Sequence, residues 1–195
     1  MSKTPEAPLG RVRWKRLAAI AAPATLGAGA LLFMTASGTI ASSFAVSGSS
    51  FKVKADSLDG KGFVQYGGVD HQADGTKIPV QVSGIKSATI RNMCQSVKVG
   101  PVTLRLTAGT GKTPVSATDL TLDVAQLDAD AVFENIEIGR DAGTLDKGNG
   151  KGAAGMFGQQ ADEVHLKNVR QVAWATTAGT FKLSNLSMKL GDECF

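Results

Sequence analysis

A short pattern, apolar-x-apolar-x-small polar-apolar, recurs along this chain and narrows what it can fold into. The fullest copy is Phe181-Lys182-Leu183-Ser184-Asn185-Leu186-Ser187-Met188-Lys189-Leu190. Phe181 and Leu183 alternate on one face, and after a slip of one residue at Asn185 the apolar residues Leu186, Met188 and Leu190 continue on that face. Alternation of period two predicts strand, and an uncompensated slip would turn every later side chain to the opposite face. A corner or bulge at Asn185 prevents this, because Asn, Asp and Gly, and less readily Ser, accept the left-handed backbone that a corner needs. The unit recurs as Val53/Ala55/Ser57/Leu58, Val80/Val82/Gly84/Ile85, Ala88/Ile90/Asn92/Met93, Val115/Ala117/Asp119/Leu120, Ala131/Phe133/Asn135/Ile136 and Val164/Leu166/Asn168/Val169, with Leu122/Val124/Gln126/Leu127 as a looser copy. Ser57, Gly84, Asn92, Asp119, Asn135, Asn168 and Asn185 are therefore the expected corners.

Strands that turn corners while keeping their apolar faces inward predict a mainly β protein wound around an elongated interior, either β-helix-like or a coiled tube-like sheet. The unit starts follow no fixed period, so a bulged β-sandwich is the alternative. In either case the last run, Leu186 to Leu190, is expected to face the interior.

The net charge of +4 suggests a nucleic-acid partner until it is located. Lys3, Arg11, Arg13, Lys15 and Arg16 stand in the first 45 residues against Glu6 alone, and beyond them acidic and basic residues are equal in number. Phosphate binding relies on clustered positive charge that releases counterions, so no nucleic-acid partner is expected.

The basic residues precede a stretch from Leu17 to Ser50 without any charge. A positive n-region, an apolar run through Leu31-Leu32-Phe33-Met34 and small residues near Ala41 or Ala45 match an export signal. Leu17 to Ala36 also supplies the roughly 20 apolar residues that span a bilayer as a helix. The expected organisation is a basic cytoplasmic tail (1–16), a signal peptide or membrane anchor (17–45) forming one N-terminal apolar helix, and an exported β-rich domain (46–195). If the segment is retained, positive-inside bias leaves the domain outside the cell membrane, and if it is cleaved the domain is secreted to the envelope. Cysteine use agrees with export, since the two residues Cys94 and Cys194 form an even set that predicts one disulfide.

Several motifs fall short of the chemistry they suggest. Asp70-His71-Gln72-Ala73-Asp74-Gly75 echoes a calcium loop, but Gln72 and Gln81 stand where carboxylates are needed. Gly111-Lys112-Thr113 echoes a phosphate loop, yet Leu106 occupies the position of the required first Gly. Two thiols and two distant histidines give no zinc spacing, so neither metal nor cofactor is expected. Residues 139–160 lack a strand pattern, and Gly148 to Gly158 reads as a mobile Gly-rich loop in which Asn149 tolerates substitution. Met156 and Phe157 within it either tuck under the domain or serve as a lid or membrane-touching tip. Only His71 and His165 offer imidazole, His165 at an outward strand position, and there is no G-x-S-x-G elbow. No catalytic constellation emerges.

The basic tail and apolar segment, Asn92-Met93-Cys94-Gln95-Ser96-Val97, Phe133-Glu134-Asn135-Ile136-Glu137-Ile138-Gly139, the loop ending Met156-Phe157-Gly158, and Glu193-Cys194-Phe195 together resemble an uncharacterised family of actinobacterial exported proteins. The resemblance implies a Gram-positive cell envelope and often a multi-span membrane protein encoded nearby, which is a candidate partner. Some members carry a cholesterol esterase label, which the missing serine elbow does not support. The expected function is that of a non-enzymatic cell-envelope protein holding a lipid or other hydrophobic ligand in a β interior or groove. A structural surface protein with a filled β core is the second reading, and an esterase the third.

Overall fold

The computed structural model describes residues 47–195, so the expected tail, the expected signal or anchor and the expected N-terminal helix lie outside the described residues. The elements are β1 (Phe51–His71), β2 (Lys77–Arg91), β3 (Met93–Val99), β4 (Val102–Ala108), β5 (Val115–Glu134), β6 (Glu137–Asp141), a single 3₁₀ turn (Ala142–Thr144), β7 (Phe157–Thr177), β8 (Thr180–Lys182) and β9 (Ser187–Leu190). The domain is mainly β, in one antiparallel sheet ordered β6-β7-β5-β2-β1-β3-β4-β9, with β8 paired to β5. Among the described residues no helix is long and apolar enough to cross a membrane.

The four long strands β1, β2, β5 and β7 form ladders that return to their starting point, since β1 pairs β2, β2 pairs β5, β5 pairs β7 and β7 pairs β1. Their inward residues, joined by Met93 of β3, make one apolar core, with Leu58, Phe63, Ile85, Ile90, Leu120, Val164, Leu166 and Val169 all buried. Phe133 adds a tilted ring contact on Phe63, centroids 5.4 Å apart.

Strands of this length stay inward-facing only because they are kinked at two levels. At the first, β1 skips Asp56 against Asn168, where the ladder jumps from Ala55↔Val169 to Ser57↔Lys167. Asn92, which separates β2 from β3, has φ 50° and donates from Nδ2 to the Asp56 carboxylate at 2.5 Å. Asn168 has φ 53° and donates likewise to Asp130 at 2.7 Å. The breaks between β4 and β5 and between β8 and β9 lie at the same level. The Asn92 N–H donates to the Gly109 carbonyl at 3.0 Å, and the Gly109 N–H to the Ser184 carbonyl at 2.6 Å. Gly109 and Asn185 again have positive φ, 67° and 54°. At the second level, Gly62 (φ 68°) opposes Lys86, and Lys86 opposes Asp119 (φ 49°). Asn135, with φ 52°, donates to Asp162 at 2.7 Å. Each kink thus combines a left-handed residue with a carboxylate or a skipped residue on the neighbouring strand, which leaves the ladder intact on both sides.

Two expected corners need correction. Ser57 and Gly84 lie inside continuous strands and are absent from the positive-φ residues. Near Ser57 the slip falls at Asp56, and the left-handed residues that accommodate it lie elsewhere, Asn92 between β2 and β3 and Asn168 on β7. Near Gly84 the slip falls at Lys86, while Ser83 and Ile85 still share the inward face, both buried.

The Gly-rich loop is also not the mobile segment expected. Ala142 and Leu145 are fully buried against Val64, forming a small second core on the outer face. The Gln160 side chain accepts from the backbone N–H of Asp146 and of Lys147 at 2.9 and 3.2 Å. Lys147 reaches Asp162 at 2.9 Å and Glu137 at 3.2 Å. Asn149 donates to the Thr121 hydroxyl at 3.2 Å and rests its carbonyl on Gly84, so it is an anchor point of the loop rather than a tolerant position. Glycine at 84 and 148 lets two backbones approach closer than a side chain would permit.

Candidate functional site: an apolar trough ending at Gln171

At the first kink level the sheet parts company with the four-strand circuit. The N-terminal residues of β1 pair with β3 instead of β2, and β3, β4 and β9 continue outward as an extension. Residues directly opposite in antiparallel ladders share a face, so two transverse rows can be followed across it. One row runs Gln171-Val53-Gln95-Leu106-Met188 and the next Ala173-Phe51-Val97-Leu104-Leu190. Both begin in the buried core and end in water. Ala173 is fully buried, Leu104 is 42% exposed, and Met188 and Leu190 are 67% and 64% exposed. Val99 and Val102, paired beyond these rows, are exposed too. The result is an open apolar trough continuous with the interior.

This corrects the inward placement of the Leu186 to Leu190 run. Leu183 packs on the core, but beyond Asn185 the chain pairs with β4 in the extension, where no second layer covers it among the described residues.

The opposite face of the extension is polar and carries the C-terminal residues. Cys94 and Cys194 form the disulfide, with Cα atoms 5.9 Å apart. The Cys194 N–H donates to the Ser96 hydroxyl at 3.0 Å. Lys52 bonds the Phe195 carbonyl at 2.9 Å and pairs with Glu193 at 3.2 Å. The tail is thereby fixed to β1 and β3 and leaves the trough uncovered.

Where trough and core meet there is a cavity of about 30 Å³, lined by apolar residues including Val53, Ile90, Met93, Leu122 and Phe181, and by Gln95 and Gln171. Gln171 is only 5% exposed, and its side-chain Nε2 has no hydrogen-bond partner among the described residues. A buried amide N–H without an acceptor is costly, typically by about 1–3 kcal/mol, which makes this position stand out within an otherwise satisfied strand. The sequence signal available was weak: Gln171 lies at an inward position of the alternation, where an apolar residue is the norm. Leu104 and Leu106 were legible as an amphipathic strand, but nothing in that strand says that its apolar face is left open.

The other predicted positions are dispersed. Met156 and Phe157 are 56% and 57% exposed, at the end of the loop and the start of β7. His165 faces outward, with Nδ1 2.9 Å from the Asp59 carboxylate, and that bond raises its pKa above the ordinary imidazole value. Glu134 and Glu163 lie near its Nε2, at 3.7 and 3.6 Å. The three could present ligand atoms to one ion, a grouping the sequence reading missed because the residues come from two strands. The group is solvent-facing, and His165 already has Asp59 as its partner.

Near the Gly-rich loop, Asp123 on β5 lies beside Val82, which in turn pairs with Tyr66. Burial, reinforced by the charge of Asp70, pushes the Asp123 carboxyl up to about 6, and burial also raises the Tyr66 phenol. A carboxyl whose folded pKa exceeds its unfolded one holds its proton more tightly in the fold, so its contribution to stability declines as pH rises from about 4 to about 6. Asp123→Asn is therefore expected to be more stable than the parent at pH 7, by about 1 kcal/mol after allowance for solvent screening of a half-buried group, and to match it near pH 4. Urea unfolding at both pH values checks this, and an equal difference at the two would refute it.

No curated protein and no solved structure matches this chain. The chain does match, over residues 47–195, the model of a family described as a family of unknown function, DUF6230. That match begins where the described β domain begins and covers all of it, so this chain belongs to the DUF6230 family, whose function is unknown.

Proposed function

We propose that this domain is a non-enzymatic protein of an actinobacterial cell envelope that holds a hydrophobic molecule, such as a lipid chain, along the trough of β3, β4 and β9. The four-strand circuit is taken as a coiled, tube-like sheet that serves as the rigid base. The observation that carries the reading is the apolar row Ala173-Phe51-Val97-Leu104-Leu190, which runs from buried core to open surface beside a buried amide, Gln171, that is unpartnered among the described residues. An exposed apolar sheet face in a soluble setting is otherwise an aggregation hazard, and a bound chain removes it. The interior itself is not the site. A cavity of about 30 Å³ is an order of magnitude below the ~300–1,000 Å³ of ligand pockets, so the ligand lies in the groove and only its end enters. The small cavity also favours the second reading, a structural surface protein with a filled core. Export and a membrane neighbourhood rest on the N-terminal sequence and on the resemblance, which also suggests a multi-span membrane protein as partner.

Native mass spectrometry of the protein purified from its own host should show lipid-sized adducts. The double variant Leu104→Asp, Met188→Asp should carry several-fold less adduct while keeping its disulfide. A consistently bare parent polypeptide would instead leave the structural reading standing.

A further inference from the structure

Resting on that reading, we infer that Gln171 selects the ligand by its buried end, which is a neutral oxygen acceptor such as a carbonyl or a hydroxyl rather than a hydrocarbon terminus or an anion. Three features of the cavity lead to this.

The first is polarity. The free group on Gln171 is a side-chain N–H donor, so it calls for an acceptor, and an ammonium, which has no lone pair, would leave it unpaired. The second is charge. The residues lining the cavity include no Lys, Arg or His. An ionised carboxylate or phosphate pressed into it would lose its hydration without gaining a counter-charge, which strongly disfavours burial of that form. The third is size. About 30 Å³ accommodates a single oxygen atom of a small polar group, comparable to one water molecule, and no bulky or multiply charged head. From Gln171 and Val53 the adjacent row Phe51-Val97-Leu104-Leu190 leads outward, so an alkyl chain attached to the bound oxygen has a continuous apolar path to the surface. The polar end thus points inward and the chain outward. A buried polar donor left unpaired is what allows a site to reject an analogue lacking the matching acceptor.

The full-length oxidised protein and its Gln171→Leu variant can be titrated with three probes of equal chain length, 2-octanone, octane and octanoate at pH 8. The parent is expected to bind octanone about tenfold tighter than octane, as one buried hydrogen bond allows, and octanoate most weakly. The variant should bind octane as the parent does and lose its preference for the ketone. Because leucine fills a similar space without an orphan donor, the ligand-free variant should also melt no lower than the parent. Equal affinity of the parent for octanone and octane, as when a trapped water keeps the amide satisfied, would overturn the inference while leaving the trough as a ligand site. So would a ketone preference that survives in Gln171→Leu. Failure of the parent to bind any of the three would instead remove the ligand-binding reading itself, and the inference with it.

Discussion

Replacing both cysteines, Cys94→Ala with Cys194→Ala, is expected to destabilise the domain by about 4 kcal/mol and to lower its melting temperature by roughly 10 °C. The bridge joins residues 100 apart in sequence, so it removes a large loop-closure entropy from the unfolded chain. The folded state loses something too. The Cys194 N–H to Ser96 bond, the Lys52–Glu193 ion pair and the Lys52 contact with the Phe195 carbonyl all involve residues next to the bridge, and none is strong enough alone to hold an exposed tail. Hydrogen exchange should therefore accelerate first in Ser187–Leu190, the strand just before the tail, and reductant on the parent should reproduce the effect. A variant that melts with the parent would show that the tail is held without the bridge.

Gly84→Ala is expected to cost about 3 kcal/mol, an unusually large penalty for adding a single methyl group. A Cβ on Gly84 would lie 1.7 Å from the Asn149 carbonyl oxygen and 2.8 Å from its carbon, both backbone atoms that no rotamer change can move. The loop must lift, which exposes Leu145 and Ala142 and breaks the bond from Asn149 to Thr121. Limited proteolysis should then cut between Lys147 and Gly155, where the anchored loop of the parent is expected to resist. Gly191→Ala, with open space around its Cβ, is the control and should stay within about 0.5 kcal/mol of the parent. Equal melting of the two variants would mean that the loop is not seated on β2.

Gly84 and Gly148 show where reading the sequence stops. A run rich in Gly looks flexible by composition, because glycine has the widest backbone freedom. Here its value is the missing side chain, and that is visible only when the opposing backbone is in place. Corners were legible where the alternation slips at Asn or Asp, since one residue then carries both the slip and the left-handed conformation, as at Asn92, Asp119, Asn135, Asn168 and Asn185. Ser57 and Gly84 misled because a slip on one strand can be accommodated by a left-handed residue on its neighbour, and pairing partners cannot be read from a single strand. The mainly β character and the disulfide followed from period and cysteine count. The trough did not, because apolar alternation looks the same whether its face is covered or open. Gln171, a polar residue at an inward position of its strand, carried a local hint of a site.

The closed circuit of ladders also has a kinetic consequence. β1 and β7 exchange bonds along most of their length although roughly a hundred residues separate them, so their pairing carries a large loop-closure cost that docking of β2 and β5 between them reduces. Until β7 docks, β1 and β5 each present a long unpaired edge, the kind of surface on which chains associate with copies of themselves. Folding should accordingly be slow, with the docking of β7 as its decisive step, and most vulnerable in a chain that has made every strand but that one.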